Sequence, residues 1–422
     1  MATSSAAKAT RTLQAGHRIE LLKGGGELFA ALVTAIDAAR AEVRLETYIF
    51  EFSGAPLAVA EALERAAARK IKVRVVVDGF GTSEVPQEWQ TRWRAAGVEW
   101  RVFNPAKGWR LLLPKRWRRM HRKLVVVDGL TAFCGGINLL DDYFDPNYGK
   151  LEQPRFDFAV RVTGPLVADV HETMTRLWLR MQVTREARNY DFKRALQSVR
   201  EAARAGADMS DPEIGAKNLD GPSRGGDAGV LAGLVLRDNL RFRKRIEHFY
   251  RYAIAQAKSE IVIANAYFVP GIALQRGLLK AARRGVRVTL LLQGRYEYFM
   301  QHYTSRAMYG ALLDAGVEII EYEPSFLHAK VAVFDSEQGA IATVGSSNLD
   351  PISLLLAREA NVFIRDDGFA AELRAQLVEA VNKVGLRIEP KTHNKRAFTT
   401  RGMAWLAYAI MRVALFATRH RY

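Results

Sequence analysis

Two histidines in this chain head the same eight-residue spacing, HxKxxxxD: His121, Lys123 and Asp128 in one place, His328, Lys330 and Asp335 in another. A turn of small residues ending in asparagine follows each, Gly135, Gly136, Ile137 and Asn138 after the first, Gly345, Ser346, Ser347 and Asn348 after the second. An imidazole can attack phosphorus or carry a proton. A lysine two residues on along a strand faces the same way, and its ammonium stabilises charge that builds on phosphate oxygens. Residues of these types at this spacing suit a phosphodiester, and two copies imply that each supplies half of one site.

What must position them is a duplicated scaffold. AEVRLETYIFEFSG (41–54) parallels SEIVIANAYFVPG (259–271), and the helix-patterned Leu57 to Lys70 parallels Ile272 to Arg284. KVRVVVDGFG (72–81) parallels RVTLLLQGR (287–295), and AAGVEWRVFNP (95–105) parallels DAGVEIIEYEP (314–324). Strands alternating with helices at this interval predict an α/β fold. After each histidine strand come another strand and a closing helix, FAVRVT with Leu166 to Met181 and ANVFIR with Phe369 to Val384. The expected division is a disordered start over 1–14, a first unit over 15–185, a linker rich in Gly, Asp, Ser and Arg over 186–230, a second unit over 231–390, and a basic, partly apolar tail over 391–422. Three more residues separate Asp335 from its glycine turn than separate Asp128 from its own, and SEQG predicts a hairpin that absorbs them.

The 422 residues, 49% hydrophobic and 25% charged, describe a folded globular chain. Cys134 is the only cysteine, which excludes an intrachain disulfide framework and a cysteine-rich metal site and points to a reducing compartment. The net charge of +17 is local: 107–123 holds eight basic residues and 391–422 seven, both without an acid. Among the cations of the first stretch stand Trp109, Leu111, Leu112, Leu113 and Trp117; the second encloses the apolar 402–418 with Trp405. Tryptophan and leucine flanked by Lys and Arg suit a lipid headgroup layer better than a nucleic-acid groove, so an anionic membrane surface is the expected partner and nucleic acid is disfavoured. Seventeen helical residues reach about 26 Å against a hydrocarbon core of about 30 Å, and Arg412 would lie inside it, so the segment is expected to lie on a membrane or pack on the protein rather than cross.

The doubled motif, with the GGINLLDDYF and GSSNLD runs, closely resembles the phospholipase D superfamily over roughly 15–390, and within it the bacterial cardiolipin synthases of the shorter, peripherally attached branch. The resemblance implies two phospholipase D-like α/β/α domains packed as a pseudo-twofold pair. It implies one histidine forming a phosphohistidine and the other protonating the departing alcohol, here His121 and His328 in that order. Lys123, Lys330, Asn138 and Asn348, with Ser346, would hold phosphate oxygens, and no metal or cofactor is called for. An acid downstream of each asparagine, Asp157 and Glu359, would orient a histidine. Asp128 and Asp335 belong to the catalytic signature, yet their place after a strand and before a turn predicts a structural role. The first copy departs from the family in having Gly136 where serine is common. Tyr48 and Tyr267, equivalent in the two halves, line the cleft or pack in the core.

The function this implies is phosphatidyl transfer between two phosphatidylglycerols at the cytoplasmic face of the cell membrane, with cardiolipin and glycerol as products. Hydrolysis to phosphatidic acid, nuclease activity on the same scaffold, and a non-catalytic lipid-binding role are the competing readings. Oligomeric state is not legible in the sequence.

Overall fold

The computed structural model describes residues 13–82, 84–105, 118–145, 147–188, 229–238, 244–297, 299–350, 357–390, 406 and 409. The first half runs through β1 (Gln14–Lys23), β2 (Glu42–Thr47), β3 (Lys72–Asp78), β4 (Glu99–Phe103), β5 (Arg119–Met120), β6 (Lys123–Val127), β7 (Thr131–Gly135), β8 (Phe144–Asp145), β9 (Gly149–Lys150) and β10 (Phe158–Thr163). The second runs through β11 (Val230–Arg237), β12 (Glu260–Asn265), β13 (Arg287–Gln293), β14 (Glu318–Tyr322), β15 (Lys330–Phe334), β16 (Ile341–Gly345), β17 (Ala357–Arg365) and β18 (Gly385–Arg387).

All but the small β8–β9 hairpin join one sixteen-stranded sheet in the order β18-β14-β13-β12-β15-β16-β17-β11-β1-β10-β7-β6-β2-β3-β4, with β5 attached to β17. Read outward from the β11–β1 pair, the two halves have the same order, so the duplication seen in sequence is a pseudo-twofold in space. The halves join where β1 and β11 run antiparallel, Gln14 opposite Ala232 and His17 opposite Val230. Gln14, placed in the disordered start by its composition, is therefore strand: a ladder partner far along the chain orders it, which local pattern does not reveal.

Within each half three strands are parallel, β2-β3-β4 and β12-β13-β14. Helices Leu57–Ala68, Gln87–Ala96 and Ile272–Arg283 supply crossovers between them, as parallel pairing requires. The motif strands β6 (KLVVV) and β15 (KVAVF) are buried along their whole length, because helices cover both faces of the sheet and leave no side for alternation. The hairpin expected at SEQG joins antiparallel β15 and β16, and Ser336 Oγ donates to the carbonyl of Gly339 (2.6 Å).

One core spans both halves. Phe158, Val160 and Val170 of the first share it with Val262, Leu327 and Leu373 of the second, and the Phe156 and Tyr322 rings stack across the boundary with centroids 5.3 Å apart. The halves are thus packed as one body. The 189–228 part of the expected linker, the stretch with Trp109, Leu111, Leu112, Leu113 and Trp117, and nearly all of the 391–422 tail with Trp405 lie outside the described residues.

Candidate active site

Each motif histidine precedes the first residue of a central strand by two positions, where the ladder ends and the side chain reaches out of the sheet. Lys123 stands opposite Gly135 on β7, and Lys330 opposite Asn265 on β12. The chain just before each histidine then pairs with the other half. β5 runs parallel to the start of β17, Arg119 opposite Ala357 and Met120 opposite Arg358, and the His121 amide donates to the Arg358 carbonyl (3.0 Å). In mirror fashion the Phe156 amide donates to the Phe326 carbonyl (3.0 Å) and the His328 amide to the Phe156 carbonyl (2.9 Å).

These crossed contacts place each histidine beside the residue that follows its backbone partner, and that residue is a carboxylate. His121 Nδ1 lies 3.1 and 3.2 Å from the two oxygens of Glu359. His328 Nδ1 lies 2.6 Å from Asp157 Oδ2. Sequence pattern placed an acid in each half but not the exchange: the first histidine uses the second half's acid, and the second histidine uses the first half's. A carboxylate on Nδ1 fixes the tautomer that presents Nε2 to a reactant.

The lysines lie beside the histidines, and Asn138 lines the cavity next to His328. Lys123 Nζ donates to the carbonyl of His121 (2.7 Å), and Lys330 Nζ bonds to that of His328. Asn138 and Asn348 are both buried; Asn138 Oδ1 accepts from the Ile49 amide (3.4 Å), and Asn348 Oδ1 is buried without a partner among the described residues. Ser346 Oγ donates to Glu359 Oε2 (2.5 Å). Gly136, its counterpart, has no side chain for a reason of space: a Cβ there would lie 2.4 Å from Asp157 Oδ1. Tyr48 faces the cleft, its ring 4.8 Å from the His121 ring and 5.5 Å from Lys123 Nζ. Tyr267 donates to Glu297 (2.6 Å). A cavity of about 110 Å³ opens beside His328, walled by Asn138, Asp142, Asp145, Arg155, Asp157 and Glu297. Arg155 and Glu297 carried no signal in the sequence, since neither falls in a repeated spacing.

Burial sets the electrostatics. It pushes the Asp157 carboxyl up to about 7 against the pull of Lys330. It pushes Lys123 down to about 7 and Lys330 down to about 8, against the carboxylates nearby. Burial, then the charges of Lys330, Lys123 and His121, lowers His328 well below its ordinary value. His121 is lowered by burial, with Glu359 pulling the other way. Glu359, which burial alone would raise, is held low by the charge and hydrogen bond of His121 and by Lys123 and Ser346.

Asp128 and Asp335 stand at the far end of the motif strands. Asp128 accepts from the amides of Arg40, Ala41 and Glu42, and Asp335 from those of Lys258, Ser259 and Glu260 and from Ser259 Oγ. Across β6 a rise of about 3.3 Å per residue puts them well over 10 Å from the histidines. Membership of the catalytic signature is corrected accordingly to an anchor that ties the strand end to the start of β2 or β12.

Two interlocked histidine–carboxylate pairs beside two lysines suit phosphoryl-group chemistry, and the chain is similar to known proteins of that chemistry. A family model described as "Cardiolipin synthase, PLD-like domain" matches residues 32–156 and 250–380. The chain belongs to this family. Cardiolipin synthase B of Escherichia coli strain K12 is 36% identical over 362 residues, spanning 86% of this chain and 80% of that protein. Cardiolipin synthase B of Salmonella typhimurium is 34% identical over 407 residues, spanning 94% and 88%. In fold, the chain is similar to a phosphatidylserine synthase from Haemophilus influenzae, with a TM-score of 0.67 over 99% of both chains at 13% identity. The described residues thus show the phospholipase D-like fold of the family.

Proposed function

We propose that this enzyme is a cardiolipin synthase that moves a phosphatidyl group from one phosphatidylglycerol to a second. The observation that carries the reading is the crossed pairing of His121 with Glu359 and His328 with Asp157. In-line displacement at phosphorus needs a nucleophile and a proton donor on opposite sides, and each half supplies one imidazole. His121 is the nucleophile: Glu359 stays ionised and takes the Nδ1 hydrogen bond, which leaves Nε2 with its lone pair. His328 is the acid: Asp157 on its Nδ1 turns Nε2 toward the leaving oxygen.

In the first step Nε2 of His121 bonds to phosphorus, the bond to the glycerol oxygen breaks, and that oxygen takes the proton from His328. In the second, a hydroxyl of another phosphatidylglycerol gives its proton to His328 and its oxygen bonds to phosphorus as the phosphorus–nitrogen bond breaks. Lys123, Lys330, Asn138 and Asn348 hold the non-bridging oxygens; loss of one such donor costs on the order of a hundred- to a thousandfold in rate.

The enzyme works on the cytoplasmic face of the cell membrane, held there peripherally by the basic stretches with Trp109, Leu111, Leu112, Leu113, Trp117 and Trp405. No helix among the described residues is long and apolar enough to cross a membrane. Purified protein mixed with phosphatidylglycerol in micelles should yield cardiolipin and free glycerol. Phosphatidic acid alone would make it a hydrolase, and metal-independent cleavage of DNA with no action on lipid would make it a nuclease.

A further inference from the structure

We propose that Asp78 and Gln293 are positioning residues, one for each half-site, that set the height at which each motif histidine meets the carboxylate of the other half. The inference rests on the two-histidine reading of the site. Both residues end the third strand of their half: Asp78 closes β3 opposite Phe103, and Gln293 closes β13 opposite Tyr322. Asp78 Oδ2 accepts from the Met120 amide at 2.7 Å, and Gln293 Oε1 accepts from the Leu327 amide at 3.1 Å. Met120 and Leu327 are the residues immediately before His121 and His328, and both are buried.

Three features separate positioning from plain packing. First, each bond lands on the residue next to a reacting imidazole. That stretch is held on its other side by the crossed strand contact that carries Glu359 or Asp157. The two ties fix the imidazole relative to its carboxylate, and a displacement of about 1 Å in such a pair can cost a hundredfold in rate. Second, the contact is kept in both repeats although the residue differs, a carboxylate in VVVDG and an amide in LLLQG. The shared property is an oxygen acceptor at one point in space. Third, Gln293 places that oxygen while its own Nε2 stays buried with no hydrogen-bond partner among the described residues, an arrangement that costs stability.

The two clamps respond differently to substitution. Asp78 uses both oxygens, Oδ1 accepting from the amides of Phe80 (2.9 Å) and Gly81 (3.4 Å) and Oδ2 from Met120. Asp78→Asn keeps the shape but has one oxygen for donors that approach on two sides. Gln293 uses one, so Gln293→Glu retains the acceptor and Gln293→Met removes it at similar volume.

The test reads steady-state turnover of phosphatidylglycerol and, separately, of bis(p-nitrophenyl) phosphate, with thermal melting as a control for folding. Asp78→Asn and Gln293→Met should lower kcat by ten- to a hundredfold with KM within about twofold, and Gln293→Glu should recover most of the Gln293→Met loss. In proton spectra, the low-field Nδ1 signal of His121 should shift or vanish in Asp78→Asn and that of His328 in Gln293→Met. A fall in melting temperature with kcat and both Nδ1 signals unchanged would overturn the proposal, as would equal losses in Gln293→Met and Gln293→Glu. Turnover of the chromogenic diester without phosphatidylglycerol would sink the lipid reading and leave the positioning test intact. With neither turned over, the Nδ1 signals decide.

Discussion

The half-site around His121 is built with a long carboxylate and a hydroxyl, Glu359 with Ser346 donating to it; the one around His328 has a short carboxylate and a bare glycine, Asp157 with Gly136. Both arrive at the same contact, a carboxylate oxygen on Nδ1. They differ in what acts on the carboxylate: the His121 contact and the Ser346 bond pull Glu359 down, whereas Asp157 has no hydroxyl donor from position 136 and burial lifts it to about 7. A duplicated scaffold thus gives its two imidazoles different surroundings, which is the basis for the proposed division into nucleophile and acid. The difference also explains the missing serine. Glu359 leaves room for a side chain at Ser346; Asp157 fills the space where one would start at Gly136.

The largest test of this division is to remove each imidazole. His121→Ala and His328→Ala should both reduce cardiolipin formation by at least about ten-thousandfold, in the range where members of a catalytic unit fail together. They should differ in what accumulates. His328→Ala given an activated phosphodiester with a good leaving group and quenched in alkaline detergent, which preserves a phosphorus–nitrogen bond, should carry a covalent phosphohistidine, and His121→Ala should carry none. Label on the His121→Ala protein instead would exchange the two roles.

Next in size are the carboxylates. Glu359→Gln and Asp157→Asn should each cost roughly a hundred- to ten-thousandfold in kcat, because an amide can hold the wrong tautomer. Glu359→Gln should slow formation of the covalent species, read in a rapid-quench burst, more than Asp157→Asn does. The pH profile sharpens the same contrast. The lysines bind phosphate when protonated, so kcat/KM should fall as pH rises through about 7 to 8, where Lys123 and Lys330 lose their charge. His121 attacks when neutral, and burial lowers its pKa, so the acidic limb should lie below its ordinary 6.5. A profile still rising above pH 9 would be incompatible with charged lysines as the phosphate clamp.

Smaller still are the residues behind the acids. Gly136→Ala puts a methyl group against Asp157 and should push it from His328, at a cost of about ten- to a hundredfold in kcat. Ser346→Ala removes the hydrogen bond to the charged Glu359, about 1.5–3 kcal/mol, or roughly ten- to a hundredfold if expressed fully in the transition state, and with it the Oγ that accepts from the Ala360 amide (3.1 Å); since His121 still holds Glu359, the lower end is expected in kcat. Gly136→Ala exceeding Ser346→Ala is the outcome that supports opposite constraints at equivalent positions.

Much of this was legible in the chain, for reasons that particular residues make plain. His121 with Lys123 and His328 with Lys330 announce themselves because each histidine stands two residues before the apolar strand that its lysine opens, in extended chain where spacing determines direction. The repeats AAGVEWRVF and DAGVEIIEY reveal the duplication because each carries the same turn into a strand that pairs in parallel with the third strand of its half. The exchange of Glu359 and Asp157 did not show, since it depends on β5 crossing to β17, and a strand of two residues leaves no periodicity. Gln14 was missed for the same reason, its partner being Ala232 in the other half. Gly136 could be noticed as an absent serine, but its cause, an Asp157 oxygen in the space of a Cβ, exists only in three dimensions.

The least effect on chemistry belongs to the pair that end the motif spacing, and here too the halves should differ. Asp128 accepts three amides, one of them, from Arg40, on Oδ2 and two on Oδ1. Asp335 accepts two amides on Oδ1, and an amide and a hydroxyl of Ser259 on Oδ2. An asparagine with its oxygen in the Oδ1 position therefore loses one bond in Asp128→Asn and two in Asp335→Asn. Asp128 also has a φ of +54°, a left-handed backbone that asparagine tolerates better than most residues. At about 1 kcal/mol of net stability per bond, Asp335→Asn should lower unfolding free energy by about 2 kcal/mol and Asp128→Asn by about 1 kcal/mol or less, with kcat within about threefold of the wild type in each. Denaturant titration gives the first quantity and initial rates the second. A hundredfold loss of kcat in a variant of normal stability would return these aspartates to the reacting centre.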